Sequence, residues 1–215
     1  MNFAKLICIV AVSLLVCTAL PAQDHADAIP VIDASKAFGE IAALPRHIRE
    51  ASGLATTDQK TFWTHNDGGV PILFNIDSTG RVVKSIQLNH PNAGWEDLAT
   101  DKKGNLYVGG FGNNNNDKKK LKIYKINNPD GITEKVYTAE IIHFRYSDQH
   151  TFPPAPAQRN FDMDAMIALG SELYLFSKNR TEPFTGYTKI YRLPQTPGEH
   201  VATPVDSIYL GSGPM

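Results

Sequence analysis

The sequence predicts an all-β fold, and three observations support this prediction. Short runs such as PILFNI, NLYVGG and TKIYRL are rich in Val, Ile, Tyr, Phe and Leu, which is the composition of strands. Tight-turn signals separate these runs, among them DSTG at 77–80, DKKG at 101–104 and NPDG at 128–131. No long stretch has the periodicity of an amphipathic helix, so no helical layer is predicted.

The strand runs recur as a unit. Three segments begin at Ser52, Glu96 and Asp164, and each contains a short apolar strand, a tight turn, a second strand with an aromatic residue, a variable loop and a third strand. A fourth, less regular strand follows each segment: RVVKSIQL, KVYTAEIIHFRY and VDSIYLG. Four-stranded units at this spacing are typical of β-propeller blades.

The chain is therefore predicted to be a β-propeller of four-stranded antiparallel blades, about three of them, near 52–90, 96–148 and 164–211. A meandering sandwich with accidental internal similarity is the alternative. Closed propellers have about 4 to 8 blades. Three blades therefore predict either the front part of a longer, six-bladed propeller or self-association that closes the ring.

The N-terminus has the layout of a secretory signal peptide. A lysine at position 5 precedes the apolar run LICIVAVSLLVCTAL, and a small residue suitable for cleavage follows at Ala22. We predict a signal peptide at 1–22, a flexible leader at 23–37 and the propeller domain at 38–215. Export to the periplasm or the medium follows. Both cysteines, Cys8 and Cys17, lie inside the signal, so no disulfide is predicted in the mature chain.

Charge argues against binding to nucleic acid, and hydropathy argues against a membrane span. The 215 residues carry a formal net charge of −1, and the Lys118–Lys120 run has no interleaved aromatic residues. Nucleic-acid binding is therefore not predicted. No second apolar run follows the signal, so no membrane span is predicted in the mature chain.

The motifs ASGLA, WTHNDGG, GWEDLA, NLYVGGFGNN, ELYLFSKN and TKIYRLP, taken in this order, resemble those of a group of bacterial proteins. These are uncharacterised exported proteins with a six-bladed propeller, distantly similar in fold to the gluconolactonase/regucalcin-like and phytase-like propellers. The resemblance covers about 38–215. It implies further blades after GSGPM in relatives of this kind.

Acidic residues are predicted to meet at one mouth of the propeller channel. Glu96 and Asp97 align with Ser52-Gly53 and with Asp164-Ala165, each pair at the start of the innermost strand of a blade. Oxygen ligands that converge from several blades suit calcium, which takes about 6 to 8 of them. The predicted metal ligands are Glu96, Asp97, Asp164 and Asn66, and the alternative is that these side chains cap turns or pair with basic residues.

Two further sets of residues are candidates at the same mouth. His65 and Asp67 could supply a general base, although a histidine at a strand end is more often structural. Lys178 and Asn179 could bind an anionic ligand, and Trp95 could stack on a ligand or pack between blades. The asparagine run 113–116 is interpreted as a hairpin tip.

These residues leave three functions open. The leading hypothesis is an exported binding or scaffold domain whose ligand, a small molecule, a sugar or a protein, lies at the channel mouth. The first alternative is a calcium-dependent hydrolase of the lactonase or phosphoesterase type. The second is a non-functional fragment of a longer propeller protein. Fold alone does not decide among them, because propellers carry many activities.

Overall fold

The computed structural model describes residues 39–211. The predicted signal peptide at 1–22 and the predicted leader at 23–37 lie outside these residues. Strands dominate the described part, and its helices are three short 3-10 turns at Arg46–Ile48, Pro129–Gly131 and Pro156–Gln158. None of the helices within 39–211 is long and apolar enough to cross a membrane.

The strands form three consecutive four-stranded units, which we number as blades. Blade 1 contains β1 (Ala51–Ala55), β2 (Phe62–Asn66), β3 (Ile72–Ile76) and β4 (Val82–Leu88). Blade 2 contains β5 (Asp97–Thr100), β6 (Leu106–Gly110), β7 (Leu121–Ile126) and, after the two-residue β8 (Val136–Tyr137), β9 (Glu140–Tyr146). Blade 3 contains β10 (Asp162–Leu169), β11 (Glu172–Lys178), β12 (Tyr187–Pro194) and β13 (Gly198–Tyr209).

Neighbouring strands within each blade are antiparallel, so the predicted all-β fold with three four-stranded propeller blades is confirmed. The segment KVYTAEIIHFRY differs from the prediction of one strand, because it divides into β8 and β9. Strand β8 pairs in parallel with the end of β4 in blade 1, whereas β9 pairs with β7 of its own blade. In the same way, Gly198–Ala202 of β13 pairs in parallel with β9 of blade 2. In both cases, the segment at or just before the outermost strand of one blade pairs with the outermost strand of the preceding blade.

Two large apolar clusters hold the blades together. The first lies between blades 1 and 2 and includes Trp63 and Leu73 on one side and Leu98 and Val108 on the other. The second lies between blades 2 and 3 and includes residues such as Tyr107, Ile123, Met166 and Leu175. Alternate side chains of a strand point to opposite faces, so a blade packed on both sides needs apolar residues at consecutive positions. This explains why the run NLYVGG in blade 2, which has a blade packed on each side, is continuously apolar.

The predicted tight turns are formed by their Asp and Gly residues. Oδ1 of Asp77 accepts a 2.9 Å hydrogen bond from the Thr79 amide, and Oδ1 of Asp101 accepts one of 2.8 Å from Lys103. Both turns end in a glycine with positive φ, Gly80 and Gly104. These turns fix the register between strands 3 and 4 of blade 1 and between strands 1 and 2 of blade 2.

Candidate functional site

A polar cavity of about 380 Å³ lies where the innermost strands of the three blades begin. Blade 1 contributes Asp67, just after β2; blade 2 contributes Glu96, just before β5; and blade 3 contributes Asp164 in β10. The loop that follows β6 and two basic residues at the end of β11 complete the wall. Its other lining residues are Ala93, Gly94, Gly112, Asn113, Asn114, Asn115, Asp117, Lys118, Lys178 and Arg180.

Hydrogen bonds between neighbouring inner strands set the positions of these carboxylates. Ser52 Oγ donates a 2.6 Å hydrogen bond to the carbonyl oxygen of Glu96, which joins β1 to the start of β5. Asp97 Oδ2 accepts a 2.7 Å hydrogen bond from the Met166 amide, which joins β5 to β10. The three strand starts are thereby held side by side at one end of the blades.

Glu96 is the central acidic residue of the cavity. Its amide donates a 2.9 Å hydrogen bond to the Gly109 carbonyl, and its carboxylate lies against Gly112. A Cβ at position 112 would overlap Glu96 Oε1, so any other residue there would require the Glu96 carboxylate to move. Partial burial, together with the charges of Asp67, Asp162 and Asp164, raises the pKa of Glu96 to about 7, and Lys178 acts in the opposite direction.

The basic side chains of the cavity are all engaged within the protein. Lys178 Nζ lies 3.4 Å from Asp164 Oδ2, and Lys118 Nζ donates hydrogen bonds to the carbonyls of Gly112 and Ala93. Arg180 donates from Nε to Asp162 Oδ2 at 2.9 Å and from its Nη2 to Asn114.

The carboxylates of Glu96 and Asp67, by contrast, accept no hydrogen bond and form no ion pair within residues 39–211. The exposed Asp117, which also lines the cavity, likewise has no partner for its carboxylate within these residues, so the uncompensated charge of the cavity is negative.

The asparagine run lies in the loop that joins the antiparallel strands β6 and β7, as the predicted hairpin requires, but it forms a wall of this cavity and is partly buried. Asn113 and Asn116 are buried, and both bond to the start of blade 3. Asn113 Nδ2 donates to the Phe161 carbonyl at 3.0 Å, and Asn116 Oδ1 accepts from the Phe161 amide at 2.7 Å. Asn116 has φ of 55°, a left-handed conformation that asparagine tolerates well. The position of this loop against blade 3 is a tertiary contact that residue type alone does not indicate.

Sequence reasoning also missed the buried residue behind this wall. Asp162, the first residue of β10, is 3% exposed and accepts hydrogen bonds from the Asn113 amide and from Arg180. A buried carboxylate needs such donors. The signal available in the sequence was the pattern FDMD, in which Asp162 alternates with apolar residues at the start of a strand.

The remaining predicted site residues lie outside the cavity lining. His65 is fully buried; its Nδ1 lies 2.9 Å from the Asn66 carbonyl oxygen, and its ring packs edge-on against Trp95 with 5.5 Å between centroids. Burial lowers the pKa of His65, which favours the neutral ring. Trp95 is likewise buried in the cluster between blades 1 and 2. A general-base role for His65 with Asp67 stays a prediction, and so does ligand stacking by Trp95.

Two predicted polar candidates bond to nearby backbone. The side chain of Asn66 accepts from the Glu50 amide at 3.2 Å and donates to the His47 carbonyl at 2.9 Å. Asn179 organises the loop after β11 through hydrogen bonds to the residues that follow it, Thr181, Thr185 and Tyr187. Their predicted roles in metal and ligand binding stay predictions.

Of the four predicted calcium ligands, Glu96 and Asp164 line the cavity, while Asp97 bonds to β10 and Asn66 to the segment before β1. In the part of the chain from 39 to 211, no three His, Cys, Asp or Glu side chains are grouped closely enough to hold a metal ion. Calcium takes about 6 to 8 oxygens, so the side chains as they lie do not fit it without rearrangement. Calcium binding stays a prediction.

A larger cavity of about 500 Å³ lies beside the loop at 148–160. Its charged residues compensate each other, because Lys189 Nζ lies 2.8 Å from Asp148 Oδ2 and also packs over the Phe161 ring at 4.3 Å. The Tyr191 hydroxyl donates to the same carboxylate at 3.0 Å. The 380 Å³ cavity at the strand starts, which we call the channel-mouth cavity, has free carboxylates and is therefore the stronger candidate site.

Comparison with known proteins gives similarity to solved structures only. No protein-family model matches the chain, and no curated protein is significantly similar to it. A streptogramin B lyase structure aligns with a TM-score of 0.41 and 14% identity over 69% of this chain and 39% of that chain. A lignostilbene dioxygenase from Pseudomonas brassicacearum aligns with a TM-score of 0.40 and 10% identity, over 72% of this chain and 37% of that chain.

The chain thus spans about two fifths of the length of each of these structures. The likeness concerns the arrangement of strands alone.

Proposed function

We propose that the protein is a binding domain whose channel-mouth cavity takes a small polar ligand through a cationic group. The observation that carries this proposal is the imbalance of free charge in the cavity. Lys118, Lys178 and Arg180 are engaged with protein oxygens, whereas Glu96 and Asp67 have no partner within residues 39–211. A half-buried carboxylate without a donor is destabilised in its charged form, and a bound cation would remove that destabilisation.

Size and composition of the cavity fit such a ligand. A volume of about 380 Å³ lies within the usual range for small-molecule sites. Exposed asparagines of the loop, Asn114 and Asn115, add amide groups that can orient polar parts of a ligand. The signal peptide predicted at 1–22 would place this binding outside the cytoplasm, and that part of the proposal rests on the sequence alone.

Binding of a cation should depend on pH through Glu96. With the pKa of Glu96 near 7 in the free protein, the carboxylate is mostly protonated at pH 6 and mostly ionised at pH 8. A ligand that requires the ionised form should therefore bind about tenfold more tightly at pH 8 than at pH 6. Each mole of ligand bound near pH 7 should release a fraction of a mole of protons.

Isothermal titration calorimetry of the chain without its predicted signal peptide tests the binding of cations and its dependence on pH. We would use putrescine, which stays fully protonated between pH 6 and 8, calcium chloride as an inorganic cation and inorganic phosphate as the anionic comparison. The proposal expects putrescine to bind with the pH dependence above and phosphate to give no binding heat. Binding of calcium alone would support the calcium-dependent alternative in place of an organic cation.

A matched pair of variants locates the binding. Glu96→Gln should weaken putrescine binding at pH 8 and remove its pH dependence, because the amide carries no charge. Glu182→Gln, an exposed glutamate outside the cavity, should change neither. The proposal fails if neither cation binds, if phosphate binds more tightly, or if Glu96→Gln leaves affinity and pH dependence unaltered.

A further inference from the structure

The cavity of about 500 Å³ beside the loop at 148–160, which we call the loop cavity, is a second enclosed site. All of its lining residues lie between 148 and 189, in the loops after β9 and β11, in the 3-10 turn Pro156–Gln158 and its flanks, and in β12. It shares no lining residue with the channel-mouth cavity. Its volume lies within the usual range for small-molecule sites.

The loop cavity lies on the side of blade 3 that faces blade 2. Lys189 of β12 points to this side, because its Nζ contacts Asp148 in the loop that leaves β9 of blade 2. The neighbouring Thr188 points the other way and lines a smaller cavity on the opposite face of blade 3. The walls of the loop cavity therefore belong to blades 2 and 3 and to the loops beside them.

The acidic and the basic residue of the loop cavity are paired with each other. Lys189 Nζ lies 2.8 Å from Asp148 Oδ2 and 4.3 Å from the centre of the Phe161 ring. The Tyr191 hydroxyl donates a hydrogen bond to the same carboxylate. An anionic ligand would have to separate Lys189 from Asp148, and so would a cationic ligand, and either would leave one charge without its partner. The loop cavity therefore favours a ligand without net charge.

Gln149 gives the loop cavity a buried hydrogen-bond acceptor that lacks a donor. The residue is 6% exposed and lines the cavity. Its Nε2 donates a 2.7 Å hydrogen bond to the carbonyl oxygen of Asn116, whereas its Oε1, on the other side of the amide group, has no partner within residues 39–211. A buried acceptor without a donor is unfavourable. A donor group on a molecule in the loop cavity would satisfy it.

The exposed part of the wall carries uncharged hydrogen-bonding groups. The side chains of Thr151 and Gln158 line the loop cavity, and neither forms a hydrogen bond within residues 39–211. A hydroxyl group and a carboxamide can each donate and accept. Pro154 and Ala157, which lie between them in the sequence, add apolar surface. This combination suits a molecule whose hydroxyl groups donate as well as accept and whose C–H groups contact apolar atoms.

We propose that the loop cavity binds a short neutral carbohydrate, one of whose hydroxyl groups donates a hydrogen bond to Oε1 of Gln149. A peptide fits this cavity less well, because peptides are commonly bound along a free strand edge or in an apolar groove. The strand residue of the wall is Lys189, and its strand β12 is paired on both sides. The carbohydrate site is separate from the cation site proposed above and uses none of its residues.

A glycan array probed with the chain without its predicted signal peptide tests the proposal. The array carries neutral mono- to tetrasaccharides of glucose, galactose and mannose, with sialylated and sulfated glycans as charged comparisons. We expect binding to at least one neutral glycan, and titration calorimetry with the same sugar in solution then gives its dissociation constant. Binding to no neutral glycan, or tighter binding to the charged glycans, would overturn the proposal.

A matched pair of tryptophan variants locates the sugar. Ala157 is exposed and lines the loop cavity, so Ala157→Trp should fill its opening and abolish sugar binding. Ala155 is also exposed but lies outside the lining, so Ala155→Trp should leave sugar binding unchanged. Cooperative urea unfolding of both variants shows that they are folded. Sugar binding that survives in Ala157→Trp would contradict the loop cavity as its site.

Two further variants separate this proposal from the cation site. Gln149→Leu removes the buried acceptor and should weaken sugar binding about tenfold; unaltered affinity would contradict the hydrogen bond to Oε1. Glu96→Gln should retain sugar binding, and Ala157→Trp should retain putrescine binding, so failure of either proposal can be told from failure of the other. Loss of sugar binding in Glu96→Gln would place the sugar in the channel-mouth cavity and overturn the inference.

Discussion

The backbone amide of Asn113 donates a 2.6 Å hydrogen bond to Oδ1 of Asp162, a bond that ties the loop after β6 in blade 2 to the first residue of blade 3. The other oxygen of the same carboxylate accepts a hydrogen bond from Arg180 at 2.9 Å. One buried acidic residue therefore holds two blades and the basic side of the channel-mouth cavity together. The asparagine loop owes its place in the cavity wall to this contact.

Replacing Asp162 should destabilise the protein strongly. Asp162→Ala leaves the buried Asn113 amide without its acceptor and removes the ionic partner of the half-exposed Arg180, and we expect a loss of about 3 kcal/mol in the free energy of unfolding. Urea unfolding of variant and parent measures this. Asp117→Ala, in an exposed position of the same loop, should change the free energy by no more than about 0.5 kcal/mol. Equal effects of the two substitutions would contradict a special role for Asp162.

Because of Glu96, the free energy of unfolding should fall as the pH rises towards neutrality. Its pKa is about 4.5 in an unfolded chain and about 7 in the folded protein, so between these values the folded state binds more protons than the unfolded state. Stability contributed by the protonated carboxyl is therefore present near pH 4.5, declines through pH 7 and is lost above it.

Glu96→Gln keeps the shape of the protonated carboxyl and cannot ionise. We expect it to raise the free energy of unfolding at pH 8 by about 1 kcal/mol, a figure reduced for solvent screening of a partly exposed group, and to have little effect at pH 4.5. The check is a series of urea unfolding curves for both proteins from pH 4.5 to 8. A difference between the two proteins that does not vary with pH would show that Glu96 has an ordinary pKa.

At Gly53 the inner strands of blades 1 and 2 lie close together. It has φ of +64°, and a Cβ there would lie 2.7 Å from the Leu98 nitrogen. Gly53→Ala should therefore cost about 3 kcal/mol, the sum of a left-handed alanine and an overpacked strand contact. Gly104→Ala is the control, since Gly104 has φ of +79° and nothing near its missing Cβ; about 1 kcal/mol is expected there. Thermal and urea unfolding of both variants would measure the two costs, and equal costs would contradict a contribution from the contact with Leu98.

The strands and turns of this protein were open to prediction because their signals are local. A tight turn needs Asp and Gly at fixed offsets, as at Asp101 and Gly104, and a blade packed on both faces needs consecutive apolar residues. The four-stranded unit is then recognised because the same order of strands and turns occurs three times. The division of KVYTAEIIHFRY between two blades was beyond such reasoning, because Val136–Tyr137 joins β4 through backbone hydrogen bonds that any residue can form.

The sequence indicated the cavity residues that lie near the starts of strands, but it did not indicate the contributions of the loops. Glu96 and Asp164 line the same cavity because each lies near the start of an innermost strand, and alignment of the repeats reveals this. His65 ends a strand at the same side of the blades, yet its side chain alternates into the core beside Trp95. Asn116 differs from its prediction in the same way. The sequence predicts an exposed residue at a hairpin tip, but Asn116 is buried by its contact with Phe161, which is distant in the sequence.

That contact provides the sharpest test of the asparagine loop. Asn116 is fully buried, its Oδ1 accepts the Phe161 amide at 2.7 Å, and its backbone is left-handed with φ of 55°. Asn116→Ala therefore leaves a buried N–H without an acceptor and puts alanine in an unfavourable conformation, so we expect a loss of about 3 kcal/mol in unfolding free energy. Its neighbour Asn115 is exposed, and Asn115→Ala should cost no more than about 0.5 kcal/mol. If the run were a solvated tip, the two substitutions would have the same small effect in urea unfolding.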